Sequence, residues 1–182
     1  MKSIIVDIDN TLWDFASVFW KKVEHLGVPQ PSEWRWDFWQ EYLTIEQFLR
    51  YLDEVHEEED GSAHPFPQAA DFLATLKKDG CRITIASHRN PVRRGVTEKW
   101  LKAHDLAFDE LYVVPDKTIL FDNHQALVDD SAELLDKAAA KGLVTAGLRY
   151  SWNRDSSHSL FENLSDILVY LQGCERSRSS QQ

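Results

Sequence analysis

The feature that most constrains this chain is the run Ser3-Ile4-Ile5-Val6-Asp7-Ile8-Asp9-Asn10-Thr11. Ile4, Ile5 and Val6 read as a short strand covered on both faces, the pattern of a parallel sheet. Two carboxylates sit at or just past its C-terminal end, which is where ligands bind in open α/β sheets. Side chains two residues apart on an extended chain point to the same side, so Asp7 and Asp9 can face one site. Two like charges this close at the end of a buried strand are unfavourable unless a cation or a proton lies between them. Asp-Asn-Thr also reads as a plain strand end and turn, so the rest of the chain has to decide between the two.

From Pro65 onward, helix and strand patterns alternate. Pro67 to Lys78 is an amphipathic helix ending before Gly80, and Cys81 to Ala86 is an apolar strand. Asn90-Pro91 is a cap followed by a first-turn proline, opening a helix to about His104. Glu110 to Val114 and Ala126 to Val128 are strands. Ser131 to Lys141 is a helix closed by Gly142, Leu143 to Leu148 is the fifth strand, and Ser159 to Leu171 is a final helix. Such alternation predicts a five-stranded parallel sheet with helices on both faces. Residues 14–64 read as wholly helical. Phe15, Val18, Phe19, Val23 and Leu26 recur at helical spacing, Trp34 to Leu43 is a second, aromatic-rich candidate, and Thr44-Ile45-Glu46-Gln47 is a capping box for a third running to about Val55. The chain thus divides into a core, 1–13 and 65–172, an inserted helical segment, 14–64, and a polar tail, 173–182, expected to fray.

Composition narrows the partners. The 182 residues suit one domain with a small insertion, and 43 % hydrophobic content supplies a core. A net charge of −10 argues against a nucleic-acid polymer as partner, while leaving room for a small anion in a locally reversed field. No apolar run reaches the length of a membrane span, and the first apolar stretch is interrupted by Asp7, unlike a signal peptide. Cys81 and Cys174 have neither metal-ligand spacing nor a disulfide framework, and a reducing, cytoplasmic location is expected.

Three further signals fall at strand ends. Ile83-Thr84-Ile85-Ala86-Ser87-His88 ends a strand in serine before a helix start, where a hydroxyl and backbone N–H groups can cradle an anion. Pro115-Asp116-Lys117-Thr118 puts a lysine, a point positive charge for a phosphoryl group, in the loop after a strand. Val128-Asp129-Asp130-Ser131 is a second acidic pair behind an apolar strand, and Asp130 or Ser131 also reads as a helix cap. Each alone is an ordinary turn, surface lysine or cap. Four carboxylates at one sheet edge would repel strongly, and a hard divalent cation such as Mg2+, bound through carboxylates, waters and a substrate phosphate, relieves that.

The ordered set, D-x-D-x-T, strand-Ser, Lys, strand-Asp-Asp, resembles the four motifs of the haloacid dehalogenase (HAD) superfamily, most of whose members are phosphatases. The resemblance covers residues 1–13 and 65–155. It implies a Rossmann-like parallel core with a cap inserted after the first motif, and a Mg2+-dependent phosphomonoester hydrolase acting through an aspartyl-phosphate. By that resemblance Asp7 is the nucleophile and Asp9 the acid/base. Thr11, Ser87, His88 and Lys117 hold the phosphate, and His88 does so through its backbone N–H. The metal is bound by Asp7, Asp9 (through its carbonyl) and Asp130, with Asp129 in support. Dehalogenases proper lack the second aspartate of the first motif, so Asp9 implies phosphate chemistry. A further acid usual after the last motif is represented here only by Glu133.

The insertion is rich in tryptophan: Trp20, Trp34, Trp36 and Trp39 follow Trp13 at its edge. Most of these rings are expected to form the core of the insertion. Trp13, Arg35 and Arg89 are candidates for the substrate cleft, a ring to stack on a flat group and two cations for a second anion. The helical insertion, Asp-Lys-Thr, Asp-Asp and the ending Tyr150-Ser151-Trp152-Asn153-Arg154 resemble the 5'(3')-deoxyribonucleotidase branch, which implies a deoxynucleoside monophosphate as the small phosphorylated substrate. The alternatives are a phosphatase for a sugar phosphate or phosphoprotein, or a catalytically silent binding protein on the same fold. The histidines other than His88 show no ligand spacing and are given no role.

Overall fold

The computed structural model describes residues 1–28, 38–57 and 63–179. Six strands form one sheet: β1 (Ser3–Val6), β2 (Arg82–Ser87), β3 (Glu110–Val113), β4 (Ala126–Val128), β5 (Val144–Leu148) and β6 (Ser159–Phe161). Their order is β3-β2-β1-β4-β5-β6, with every neighbouring pair parallel. The chain leaves β1 in one direction to β2 and β3, and the later strands add on the other side. The C-terminal end of β1 is therefore the switch point at which such sheets bind ligands.

Each face of the sheet has its own core. Ile4 and Val6 pack with α1 (Phe15–Val23), α3 (Ala69–Lys78), α4 (Arg94–Ala103) and α6 (Leu164–Ser179) through Phe19, Leu73, Leu101 and Ile167. Ile5 points the other way, to Leu127, Phe121 and the Leu134, Leu135 and Ala138 stripe of α5 (Ala132–Ala140). The apolar run that opens the chain thus belongs to a strand buried on both sides.

Several helix starts follow from local chemistry. The Asp14 carboxylate accepts from the Ser17 N–H, and the Ser131 hydroxyl from that of Leu134. The Thr44–Gln47 capping box forms with both of its bonds, 2.9 and 3.2 Å, at the start of α2 (Ile45–Glu57). Of the aromatic segment 34–43, residues 34–37 lie outside the described residues, Phe38–Glu41 form a 3-10 turn, and the Tyr42 and Leu43 N–H groups close onto the Trp39 carbonyl.

Two expectations are corrected. The sheet has six strands, because Ser159–Phe161 is β6, in register with Ala146–Leu148, and not the first turn of the last helix. The segment's single inward residue, Leu160, completes the core beside Phe121 and Leu127, and tertiary burial here outweighs helical periodicity. Asn163, whose side chain accepts from the Asp166 N–H, marks the actual helix start. α6 then continues to Ser179, through much of the segment read as a frayed tail, and Glu175 there pairs with the chain's own N-terminal ammonium. Among the described residues no helix is long and apolar enough to cross a membrane.

Gly147 ties the fold to its upper edge. A Cβ there would lie 2.3 Å from the Asp129 carbonyl oxygen, a backbone atom that cannot swing aside. Gly147→Ala is expected to cost about 2–3 kcal/mol of stability through this overpacking. Urea unfolding of the two proteins measures it, and a change within 0.5 kcal/mol (about the scatter of surface substitutions) would contradict the close approach.

Candidate active site

The register of the central strands brings the two acidic segments together. Val6 pairs with Val128. One residue further on, the Asp7 N–H donates to the Val128 carbonyl (2.9 Å), and the Asp129 N–H donates to Ala146 (3.1 Å). Asp7 and Asp129 therefore stand side by side on adjacent strand ends, with Asp130 next in line. Carboxylate oxygens of Asp7, Asp129 and Asp130 all lie within 4.8 Å of one another, and all three residues are buried. Lys117, at the head of a 3-10 helix over Lys117–Asn123, reaches across 110 residues of sequence to this cluster. Its Nζ donates to the Asp7 carboxylate and, at 2.9 Å, to Asp129, and its side chain is only 2 % exposed.

Burial above all, then the nearby Asp129 and Asp9 charges, pushes the Asp7 carboxyl up to about 7, against the pull of Lys117. Burial, with Asp129 and Asp7, also raises Asp130 well above the carboxylate range. For Lys117 burial favours the neutral amine, but Asp129 and Asp7 outweigh it and hold the ammonium firmly protonated.

Asp130 is held from three sides. The Asn10 side-chain amide (3.2 Å) and the Trp152 indole N–H (3.0 Å) donate to its carboxylate, and the Asn153 amide donates to its carbonyl (3.0 Å). Asn10 has a left-handed backbone, φ 58°, which asparagine tolerates better than most residues. Its carbonyl accepts from the Tyr150 hydroxyl (2.9 Å), and its side-chain oxygen accepts from the Ala16 N–H (2.8 Å). The 150–153 segment thus braces the first and last acidic segments against each other.

Asp9 faces the neighbouring cluster. Arg89 grips it with two N–H groups, Nη2 at 2.7 Å and Nε at 3.1 Å. The Trp13 indole N–H donates to the same carboxylate at 2.8 Å, and His56 of α2 lies 3.4 Å away. Burial opposes its charge, but Arg89 and His56 prevail and hold Asp9 well below the usual carboxylate range. Arg89 is anchored in turn on the Thr97 hydroxyl (3.1 Å).

A cavity of about 570 Å³ opens over these groups, lined by Asp7, Asp9, Lys117, Asp129 and Asp130 at its floor and by Phe15, Leu49, Leu52 and Leu134 on its walls. His88 reaches it, with Asn10, Asp53, His56, Arg89 and Asn90. α2 is fastened over one side. Arg93 pairs with Glu57 and lies 3.6 Å from Asp53, which also accepts from Asn90 (3.3 Å).

The sequence-predicted residues divide accordingly. Asp7, Asp9, His88, Lys117, Asp129, Asp130 and Arg89 all reach the cavity. Thr11, Ser87 and Trp13 are not among the residues lining it. After Asn10 the chain turns inward, and the Thr11 and Leu12 N–H groups close onto the Ile8 carbonyl. Thr11 is wholly buried, and its hydroxyl has no partner among the described residues. The Ser87 hydroxyl accepts from the Arg89 N–H (3.2 Å) and shapes the turn. Trp13, 1 % exposed against Phe15 and Trp100, is a prop for Asp9 and not a stacking surface for substrate. The Asp9 carboxylate stands outside the three-carboxylate group. Glu133 faces away, paired with Lys137 at 2.6 Å. Arg35 lies outside the described residues. Sequence reasoning missed Asn10, which it read only as a turn residue, and His56, whose reach into the site depends on how α2 packs.

No family model matches the chain, and neither does any curated protein. Solved structures do match. A predicted phosphoglycolate phosphatase from Haemophilus somnus 129pt aligns at TM-score 0.66 and 19 % identity over 94 % of this chain and 98 % of its own. A haloacid dehalogenase-like family hydrolase from Streptococcus pneumoniae aligns at 0.63 and 18 %, over 94 % and 98 %. A protein described as a beta-phosphoglucomutase from Thermotoga maritima aligns at 0.63 and 16 %, over 95 % and 99 %. The chain therefore has the α/β, Rossmann-like fold of HAD-superfamily hydrolases.

The three buried carboxylates are a hard-oxygen donor set, and they fit a divalent cation such as Mg2+. A carboxyl whose folded pKa is raised contributes stability below its ordinary value, 3.8 for Asp7, and loses it as pH rises through about 7. At low pH a metal must displace those protons, and at high pH it meets open ligands. Saturating Mg2+ is therefore expected to raise Tm by about 5 °C or more at pH 8, and by clearly less at pH 5. Scanning calorimetry should show this, and Asp130→Asn should remove most of the effect. An equal shift at both pH values would contradict the site.

Removing Arg89 leaves Asp9 charged and without its main partner. Arg89→Met is expected to cost about 3 kcal/mol, the low end for a broken buried pair because 20 % of the Asp9 side chain is exposed. Thr97→Val should cost only a fraction of that. Denaturant titration measures both, and equal costs would deny Asp9 as the reason.

Proposed function

We propose that the protein is a Mg2+-dependent phosphomonoester hydrolase working through an aspartyl-phosphate on Asp7. The observation that carries this reading is the Asp7 carboxylate at the cavity floor, touching the Lys117 ammonium and beside Asp129 and Asp130. Nucleophile, charge clamp and metal-ligand set converge on one point at the switch point of the sheet.

Asp7 attacks phosphorus, the ester oxygen departs, and water then hydrolyses the acyl phosphate. Lys117 neutralises charge on the phosphoryl oxygens. Asp7, Asp129 and Asp130 would hold Mg2+, which when bound shields the phosphate's charge from the carboxylate that must approach it. Asp9 lines the same cavity and is placed to exchange a proton with the leaving oxygen and the hydrolytic water. Arg89 holds it ionised, which suits the base half of that cycle, and the acid half requires the grip to loosen. α1 and α2, inserted between β1 and β2, serve as the cap, with α2 supplying His56, Leu49 and Leu52 to the cavity.

Two substrate readings remain within this class. The deoxynucleotide reading rests on the helical insertion, the Asp-Lys-Thr and Asp-Asp segments and the 150–154 ending; of these the ending contacts Asn10 and Asp130 through Tyr150, Trp152 and Asn153, so that part of the likeness speaks for the architecture of the site and not for a base. The sugar-phosphate reading is favoured by the neighbour described as a phosphoglucomutase.

The purified protein is expected to release phosphate from p-nitrophenyl phosphate when Mg2+ is supplied and to lose the activity in EDTA. Asp7→Asn is expected to lower kcat by at least about a thousandfold. Turnover by Asp7→Asn within tenfold of the parent would refute the covalent route.

A further inference from the structure

The cavity has two chemically different ends. Its floor is ionic. Its walls carry Phe15, Leu49, Leu52 and Leu134, and Leu49 keeps 55 % of its surface exposed although it sits on the packed helix α2. An apolar wall facing an anionic floor suits a ligand with one charged end and one carbon-rich end.

Charge bounds that ligand further. Five carboxylates line the cavity, Asp7, Asp9, Asp53, Asp129 and Asp130, against two permanent cations among the described residues, Lys117 and Arg89. Both cations are already engaged, Lys117 by Asp7 and Asp129, Arg89 by Asp9. On the wall side the acid is Asp53, 34 % exposed, aligned by Asn90 and 3.6 Å from Arg93, a guanidinium shared with Glu57 that is not among the residues lining the cavity. Lys117 and a divalent ion can meet one phosphoryl group. Among the described residues, a second anionic group would lie against carboxylates and leucines, desolvated and repelled.

We infer that the substrate is a phosphomonoester whose remaining body carries no negative charge and presents an apolar face, and that esters with a second anionic group are rejected. The inference rests on the phosphomonoesterase reading and refines it. Phosphoglycolate, which carries a carboxylate close to its phosphate, falls on the rejected side, whereas an aryl ester or a neutral nucleoside ester falls on the accepted one.

The test compares phenyl phosphate, 4-carboxyphenyl phosphate and 4-propylphenyl phosphate, which share ring and scissile bond, with the Mg2+-loaded protein. Relative to phenyl phosphate, kcat/KM is expected to fall at least tenfold for the carboxylate, mainly through KM, and to rise for the propyl ester. Leu49→Lys, which puts an ammonium on the wall at an exposed position, is expected to narrow the carboxylate penalty at least threefold. Equal efficiency on the phenyl and carboxyphenyl esters, or a penalty that Leu49→Lys leaves unmoved, overturns the inference while the phosphatase reading stands. Failure to hydrolyse any of the three esters overturns both.

Discussion

The site depends on one buried ammonium. Lys117 carries its charge into a space with three carboxylates, and it is the one cation touching that group among the described residues. Even beside it, burial pushes Asp7 and Asp130 up, and without it, or a metal in its stead, no cation among the described residues would offset the crowding of acids at this strand edge. The lysine rests on the rigid 3-10 segment that follows β3, whose Leu120 and Phe121 are anchored in the core below the sheet. The charge balance at the top of the sheet is thus fixed by apolar packing underneath it.

A second balance stands next to the first, with hydrogen-bond partners of its own. Asp9 belongs to Arg89, Trp13 and His56, while Asp7 belongs to Lys117. Two aspartates separated by one residue face the same cavity with opposite tendencies, Asp7 pushed up by burial and Asp9 held down, against burial, by Arg89 above all. Divergent environments for paired acids are what a division between nucleophile and proton carrier requires.

The parts of this arrangement that were legible in the sequence are those written in short stretches. The Ile4–Val6 strand with its two acids, the Asp129–Asp130 pair behind a second apolar strand, the Asn90, Ser131 and Thr44 caps and the lysine after β3 all follow from local pattern. What escaped depends on distance. Trp13, Arg89 and Ser87 carry groups that could bind a ligand, and only the packing shows the protein partners that each of them holds. Ser159–Phe161 is too short for its period to tell strand from helix, and its place was decided by where Leu160 found a core. His56 shows no motif, since its partner is 47 positions earlier in the chain.

Asn10 carries a consequence of its own. It supplies a backbone twist that few residues accept, an amide to Asp130, an acceptor to the start of α1 and a carbonyl to Tyr150. Glycine would satisfy the twist alone, aspartate would add a negative charge beside Asp130, and other residues would meet the twist at a cost. Sequence drift at this position is therefore nearly closed, and the turn between the two acids and the first helix can vary only if its three partners vary with it.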